Sequence, residues 1–551
     1  MRARTALRRV TVVGAAMVLA VLGAVTGPLT SAQASAHDVP GQFIAKVYTE
    51  ALGRVPTGTE WNDAINQFAQ SGCTQQSLAA FGQGVYTSAD FAQLGYDNTA
   101  KLTTLFRGVW NTEPDPLLLM QHKSELSGGE PWSAVVAQFF TDPKFTELVG
   151  KICTGGMDSS STSYSVGGTA STGVAKSTGG FAGSEEDLQK LLNDTPPGGT
   201  VQLAGRTVVQ LTQPLKIPAG VTLTTTGEPS VKQYAQMGRL VRTGEFDSAA
   251  VQVAGGADLH AVWIDGARNN PVNSAPARVN VRVAGGTDTK VSGNKISNTA
   301  GSSSVQVVGG TAGQGCSNVQ VTKNVITAYS NDHYQTRQLS DQSTVGTWSN
   351  GIEVGCGDVT VRRNQIVDTG GVGIAVYRAA DVKGDQHSTI TGNTIASAGV
   401  PMYAGITVDP AYYVPNKGTE RDYDFTGTSI SKNQLWTAPN THFVIGISVG
   451  TRPWYAGMAV VGANSGHGVA VAGNGTAGIG ARVRTGIAVS GMSDVTLKSD
   501  PADWEGGVPG KPGDACPSTA VAAASSSGQA DGLETDLSFD DTNLDGCVGE
   551  P

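Results

Sequence analysis

Between residues 184 and 500 aliphatic and polar positions alternate over runs of three to five residues, each closed by Gly, Asn or Asp. One run recurs: small residue, aliphatic, variable, aliphatic. It reads Gly351-Ile-Glu-Val354, Gly373-Ile-Ala-Val376, Gly405-Ile-Thr-Val408, Gly446-Ile-Ser-Val449, Gly468-Val-Ala-Val471 and Gly486-Ile-Ala-Val489. A second run lies between its copies: Val291-Ser-Gly-Asn294, Val321-Thr-Lys-Asn324, Val361-Arg-Arg-Asn364, Ile390-Thr-Gly-Asn393 and Ile430-Ser-Lys-Asn433, each followed two residues on by an aliphatic. Alternation of period two places the aliphatics on one face of a strand. Recurrence at about 20 residues, stretched by insertions, predicts a solenoid whose stacked coils bury one aliphatic column. Asn suits the tight turns because it tolerates left-handed backbone, and stacked amides can bond from coil to coil. A sandwich would not repeat one strand motif, and a propeller would show a steadier period and more aromatic residues.

Only residues 37–153 carry helical periodicity. Phe43, Ile44, Val47, Tyr48, Ala51 and Leu52 recur at i, i+3/i+4 and i+7/i+8, as do Leu102, Leu105, Phe106, Val109 and Trp110. Thr87-Ser-Ala-Asp-Phe-Ala-Gln-Leu94 aligns with Thr141-Asp-Pro-Lys-Phe-Thr-Glu-Leu148, which predicts two similar helical units. Residues 154–183 are a Gly/Ser/Thr linker. A short helix capped by Ser184, with Leu188, Leu191 and Leu192 as its apolar side, then opens the β region. The fold expected is mainly β, a parallel β-helix over 184–500 with a separate small all-α N-terminal domain.

Two resemblances follow from these residues. Val47-Tyr48, Leu52-Gly53-Arg54, Pro56, Trp61 and Ser88 with Phe91 are similar to a small helical domain of unknown function found in exported bacterial proteins, often beside carbohydrate-active or surface domains. Arg54 reads best as a cap or turn ion pair, and Trp61 and Trp132 as core. The stretch Leu188 to Leu223, the segment Val262-Trp-Ile-Asp-Gly266 and the two recurrent runs resemble the right-handed parallel β-helix superfamily that includes pectate lyases and polygalacturonases. That resemblance implies a polysaccharide held lengthwise on an outward strand face walled by loops.

The N-terminus has a basic start, an apolar stretch from Val10 to about Val25 and Ala32-Gln-Ala34-Ser-Ala36. These are the parts of a secretory signal, with cleavage expected after Ala36 and no membrane attachment afterwards. Export fits six cysteines, an even number without CxxC or zinc-like spacing. Fifteen pairings are open to six cysteines. They fall two by two into the three regions, which favours Cys73–Cys153, Cys316–Cys356 and Cys516–Cys547. Loss of Arg2, Arg4, Arg8 and Arg9 leaves 33 basic against 46 acidic residues, a net −13, which argues against a nucleic-acid partner. Glycine, 73 of 551 residues, is about double the ~7% average, in keeping with dense turns. Residues 501–551 read as an acidic tail; Asp541-Thr-Asn543-Leu-Asp545-Gly546 matches the first half of a calcium loop.

Aligned coils put Glu353, Ala375, Thr407 and Ser448 in one outward column and Gly355, Tyr377, Asp409 and Gly450 in the next. Arg378 and Arg452 follow. The insertion 329–350 brings His333, and another brings Arg452, Trp454 and Tyr455. Glu353, Asp409, Tyr377 and Arg378 are therefore the candidate catalytic residues, and His333, Arg452, Trp454 and Tyr455 the candidate substrate contacts, on the open floor and walls of a sugar groove. Inverting hydrolysis wants two carboxyls about 6.5–9.5 Å apart. The backbones of Glu353 and Asp409 are expected roughly 11–12 Å apart, two coils and two residues, and the closely spaced Asp run of polygalacturonases is absent. Elimination wants a base and a neutralised uronate; Glu353 and Asp409 would then hold Ca²⁺ if the reaction uses it. Cleavage of a uronate-containing polysaccharide by elimination or hydrolysis is the leading expectation, and non-catalytic carbohydrate binding at the cell surface the alternative.

Overall fold

The computed structural model describes residues 39–154, 180–268, 277–310, 315–328, 349–377, 386–409, 423–450, 466–476, 478–490, 492–498, 505–506 and 519–522. From Thr200 onward the chain winds as a right-handed parallel β-helix. Three sheets form its flanks, and every strand pairing among the described residues is parallel. Each coil visits sheet A, then B, then C. One coil, for example, uses Val359–Arg362 in A, Gln365–Val367 in B and Val372–Tyr377 in C.

The lumen is the aliphatic column expected from the alternation. Ile352, Ile374, Ile406, Ile447 and Ile487 lie in register on sheet C, facing Ile366, Ile395 and Leu435 of sheet B, all fully buried. The recurrent glycine has a packing cause. A Cβ on Gly351, Gly373 or Gly405 would lie 2.7, 2.6 or 2.0 Å from Ile366, Ile395 or Leu435. One copy of the run was misplaced. Gly468-Val-Ala-Val471 belongs to sheet A, where Ala470 pairs with Ser429, so the coil after Gly446 returns to sheet C at Gly486. Alternation alone does not distinguish sheets, since both turn aliphatics inward.

The asparagines form a continuous ladder at the corner between sheets A and B. Asn324 Oδ1 accepts from Asn294 N and Nδ2, both at 3.0 Å, and the pattern continues through Asn364, Asn393, Asn433 and Asn474. Each of these amides also donates to a carbonyl of the preceding coil, as Asn364 does to Val321 at 2.8 Å. The left-handed residue is the one before the Asn: Gly293, Lys323, Arg363, Gly392, Lys432 and Gly473 have φ from 54° to 65°. The expectation that Asn takes the left-handed position is corrected here. Its side chain is committed to the ladder, and the corner is turned one residue earlier. Asn474 belongs to the ladder and lacked the flanking pattern that revealed the other five.

Helix α9 (Glu185–Asp194), N-capped by Ser184 Oγ, closes the first coil. Leu188 and Leu192 enter the lumen core, whereas Leu191, expected beside them, is 41% exposed. The helical domain comprises α1 (Gly41–Ala51), α2 (Gly58–Ser71), α3 (Gln75–Tyr86), α4 (Ala89–Gln93), α5 (Asn98–Val109), α6 (Pro116–Ser127), α7 (Trp132–Thr141) and α8 (Pro143–Cys153). Thr57 with Glu60 forms a capping box on α2, and Ser88 and Asp142 cap α4 and α8. Phe91 and Phe145, equivalent in the internal alignment, are both buried. The Cys73–Cys153 and Cys316–Cys356 disulfides are formed; Cys516 and Cys547 lie outside the described residues.

The helical domain packs against sheet B. Trp61 of α2 lies 4.5 Å from Trp436, and Tyr234, Trp263, Val367, Ala396 and Trp436 share one core with the helices. Helix α1 is buried on every side, not along one stripe. Among the described residues no helix is long and apolar enough to cross a membrane.

Candidate functional site

The three flanks differ in what covers them. Sheet B lies under the helices. Its outward residues Arg239, Trp263, Asp265 and Lys295 are buried, and they meet Lys46 and Glu50 of α1, Arg107 of α5 and Glu113. Arg107 Nε donates to Glu50 at 2.9 Å, and Arg239 Nη1 donates to Glu113 at 2.7 Å. Arg239 also pairs with Asp265, Lys295 lies 3.5 Å from Glu50, and the Tyr234 hydroxyl donates to Glu50. Both guanidiniums lie over the Trp263 ring, at 4.5 Å for Arg107 and 3.9 Å for Arg239. Burial alone would raise Glu50, but Arg107, Lys295 and Lys46 hold its carboxyl well below the usual range. Burial lowers Lys46 to about 7 against the pull of Glu50. Four cations face three carboxylates, and burial lowers the Lys295 amine as well as that of Lys46. A cluster in which only Glu113 is partly exposed fixes one domain on the other and offers no room for substrate. It was not foreseen, because Lys46 and Glu50 are spaced as an ordinary exposed i,i+4 pair.

Sheet C carries the candidate residues. Glu353 pairs in register with Ala375, then Thr407, then Ser448, and Tyr377 pairs with Asp409. The two outward columns are therefore on one flank, in the order expected. Their exposure is not as expected. Glu353 and Tyr377 are fully buried and Asp409 is 1% exposed, so they are not the open floor of a groove. Glu353 Oε2 accepts from Gln306 Nε2 at 2.9 Å and Oε1 from Asn350 Nδ2 at 2.8 Å. The Tyr377 ring fills the space over Gly355, where a Cβ would lie 2.5 Å from Cε2. Gln386 folds back over the strand ends and donates to the carbonyls of Val354 and Tyr377 at 3.3 and 3.1 Å. An outward position in the alternation is not an exposed one when the chain returns across it. Arg378, His333, Arg452, Trp454 and Tyr455 lie outside the described residues, as does the calcium-loop match at Asp541. Among the described residues no group of three or more His, Cys, Asp or Glu side chains is arranged to hold a metal ion.

The Glu353 column extends further than the recurrent run revealed. Lys216, Gln252, Arg282 and Gln306 precede Glu353 in unbroken register. Lys216 and Arg282 are exposed, and Gln252 and Gln306 are half-buried. The flank thus passes from an open, cationic and amide-bearing surface to the enclosed carboxylate of Glu353. The Cys316–Cys356 disulfide staples adjacent coils at that transition. These early coils lack the Gly-Ile-x-Val run, so only the pairing brings them into the column.

Sheet A is accessible along its outward rows. Near its corner with sheet B, Thr360, Arg362, Arg363, Thr391 and Lys432 line an open depression of about 430 Å³. A second depression, about 390 Å³, lies on α2, α3 and α4 beside Glu60, Asp63 and Asp90. Arg54 is already paired there with Glu60 and Asp90.

No protein-family model matches the chain, and the search of curated proteins finds no relative. Among solved structures it is similar to an alginate lyase from Paenibacillus, at 12% identity over 54% of this chain and 93% of that one, TM-score 0.32. It is similar to an endo-xylogalacturonan hydrolase from Aspergillus tubingensis, at 14% identity over 65% and 94%, TM-score 0.31. It is also similar to a surface adhesin of Streptococcus pneumoniae, at 11% identity over 62% and 92%, TM-score 0.30.

Proposed function

We propose that this is an extracellular protein that holds an acidic polysaccharide lengthwise on the outward face of sheet C. The observation that carries the reading is the registered column Lys216–Gln252–Arg282–Gln306–Glu353. Lys216 and Arg282 stand two coils apart, about 9.6 Å at the usual strand spacing, and offer cations to carboxylates. The amides between them suit sugar hydroxyls. Binding is favoured over cleavage because the Glu353 carboxylate is enclosed and already holds two amide donors. The signal-like N-terminus and two disulfides support an oxidising, extracellular setting.

The test is a panel of uronate-containing and neutral polysaccharides, with binding, unsaturated-product absorbance and reducing ends followed together. Binding to uronates alone, weakened at least tenfold by Lys216→Gln/Arg282→Gln and without product, is expected. Unsaturated product or new reducing ends would replace the binding reading with a lyase or a hydrolase. Unchanged affinity in the double variant would remove this column from the site.

A further inference from the structure

The left-handed corner of the Asn ladder has a consequence on the solvent side. A left-handed residue is cheapest as glycine, and Gly293, Gly392 and Gly473 follow that rule. Lys323, Arg363 and Lys432 occupy the same corner at φ 58°, 54° and 55°, and their side chains are exposed. Arg362, exposed at the end of its sheet A strand, joins them. None of these four cations makes an ion pair or a side-chain hydrogen bond among the described residues, on a protein whose net charge is negative.

The surroundings are ordered by charge. Arg362 lies in register between Thr322 and Thr391, and Thr391 is followed by Ser431. The next row is Gln320, Thr360, Thr389 and Ser429. None of these positions carries a carboxylate or an aromatic ring. Asp288 and Asp358 stand at the opposite end of the strands, tied to Asn318. Asp358 is four residues from Arg362, about 13 Å along an extended strand. A polyanion is therefore attracted to the A–B corner and repelled from the far edge. Lys323, Arg363 and Lys432 occupy the first, second and fourth of four consecutive coils, so cations recur along the axis at about 4.8 and 9.6 Å.

We infer that this corner is a second anion-binding strip, distinct from sheet C, and that it takes an extended acidic glycan bearing carboxylate or sulfate groups. Arg362, Arg363, Lys323 and Lys432 meet the charges, and the hydroxyl rows of Thr360 and Thr391 meet the sugar. A nucleic acid fits less well, because the strip offers no ring for bases to stack on. The inference does not rest on the sheet C reading, since the two flanks share no residue.

The test uses the mature full-length chain with polygalacturonate, dextran sulfate, neutral dextran and oligo(dT) as probes. The variants are Arg362→Gln/Arg363→Gly/Lys432→Gly and, as a control on the other flank, Lys216→Gln/Arg282→Gln. For one or both acidic glycans at low salt, the strip variant is expected to lose one of two binding components, that component weakening at least tenfold while the sheet C component stays. Its thermal midpoint is expected to stay level or rise, because glycine relieves two left-handed positions. Wild-type affinity is expected to fall with salt, and the control pair should leave a salt-sensitive component that the strip variant lacks. Unchanged binding in the strip variant, binding of neutral dextran as strong as that of the acidic glycans, or a preference for oligo(dT) would each overturn the inference.

Discussion

At the scale of single residues, buried polar groups set the pH response. Asp368 is fully buried, and Oδ1 accepts from the backbone N–H groups of Ala398, Gly399 and Val400. Burial outweighs those donors and pushes its carboxyl up to about 6. The folded pKa lies above the unfolded value, so the protonated form is the one folding favours. That stabilisation is complete below about pH 4 and is lost as pH rises through 6, on the order of 3 kcal/mol. Asp368→Asn keeps an acceptor without the charge. It should melt higher than the parent at pH 8, with the gap closing near pH 4, in thermal melts across that range. The Asn ladder gives the opposite case. Asn364→Ala strips partners from Asn324 and Asn393 and from the Val321 carbonyl. Stranded buried groups of this kind cost about 1–3 kcal/mol each, and a loss of roughly 3 kcal/mol in urea unfolding is expected.

At the scale of elements, the decisive contact is α1 and α5 against three strands of sheet B. Arg107→Met would take the guanidinium away from the buried Glu50 carboxylate and leave half-buried Glu113 to Arg239 alone. Breaking one side of a buried pair costs about 3–5 kcal/mol. The double variant Glu50→Gln/Arg107→Met should recover part of that loss. Denaturant titrations of both variants followed by circular dichroism read the loss and its recovery. Lys46 adds a slope of its own. Its lowered pKa makes the neutral amine the form folding favours, so its contribution rises with pH from about 7 toward the ordinary lysine value. Helices α1 and α5 were legible from their periodicity. Their partner was not. Arg239-Leu-Val-Arg242 and Lys295-Ile-Ser297 read as ordinary strands with polar outer faces, and nothing local says that a helix will cover them.

At the scale of the whole molecule, one cylinder presents three flanks with different fates. Sheet B is sealed by the helical domain, the later coils of sheet C are enclosed, and the outward rows of sheet A remain accessible. A chain lacking residues 37–154 should expose Trp263, Val367 and Trp436 together and aggregate. A soluble, monomeric truncated chain with an intact parallel-β circular dichroism spectrum would show that the domains are merely tethered.

The solenoid and its aliphatic lumen were determined by the sequence itself. Period-two alternation with Gly and Asn at the corners has few other ways to bury its apolar face. Two disulfides were also legible from how the cysteines partition among regions. Which outward residues meet water was decided only in three dimensions. Alternation states which side of a strand a residue takes, and says nothing of what the chain later lays across that side. That is why Glu353, Tyr377 and Asp409 were expected in register on one flank, as found, but open, which they are not, and why Glu50 and Arg107 were found only when helices and sheet came together.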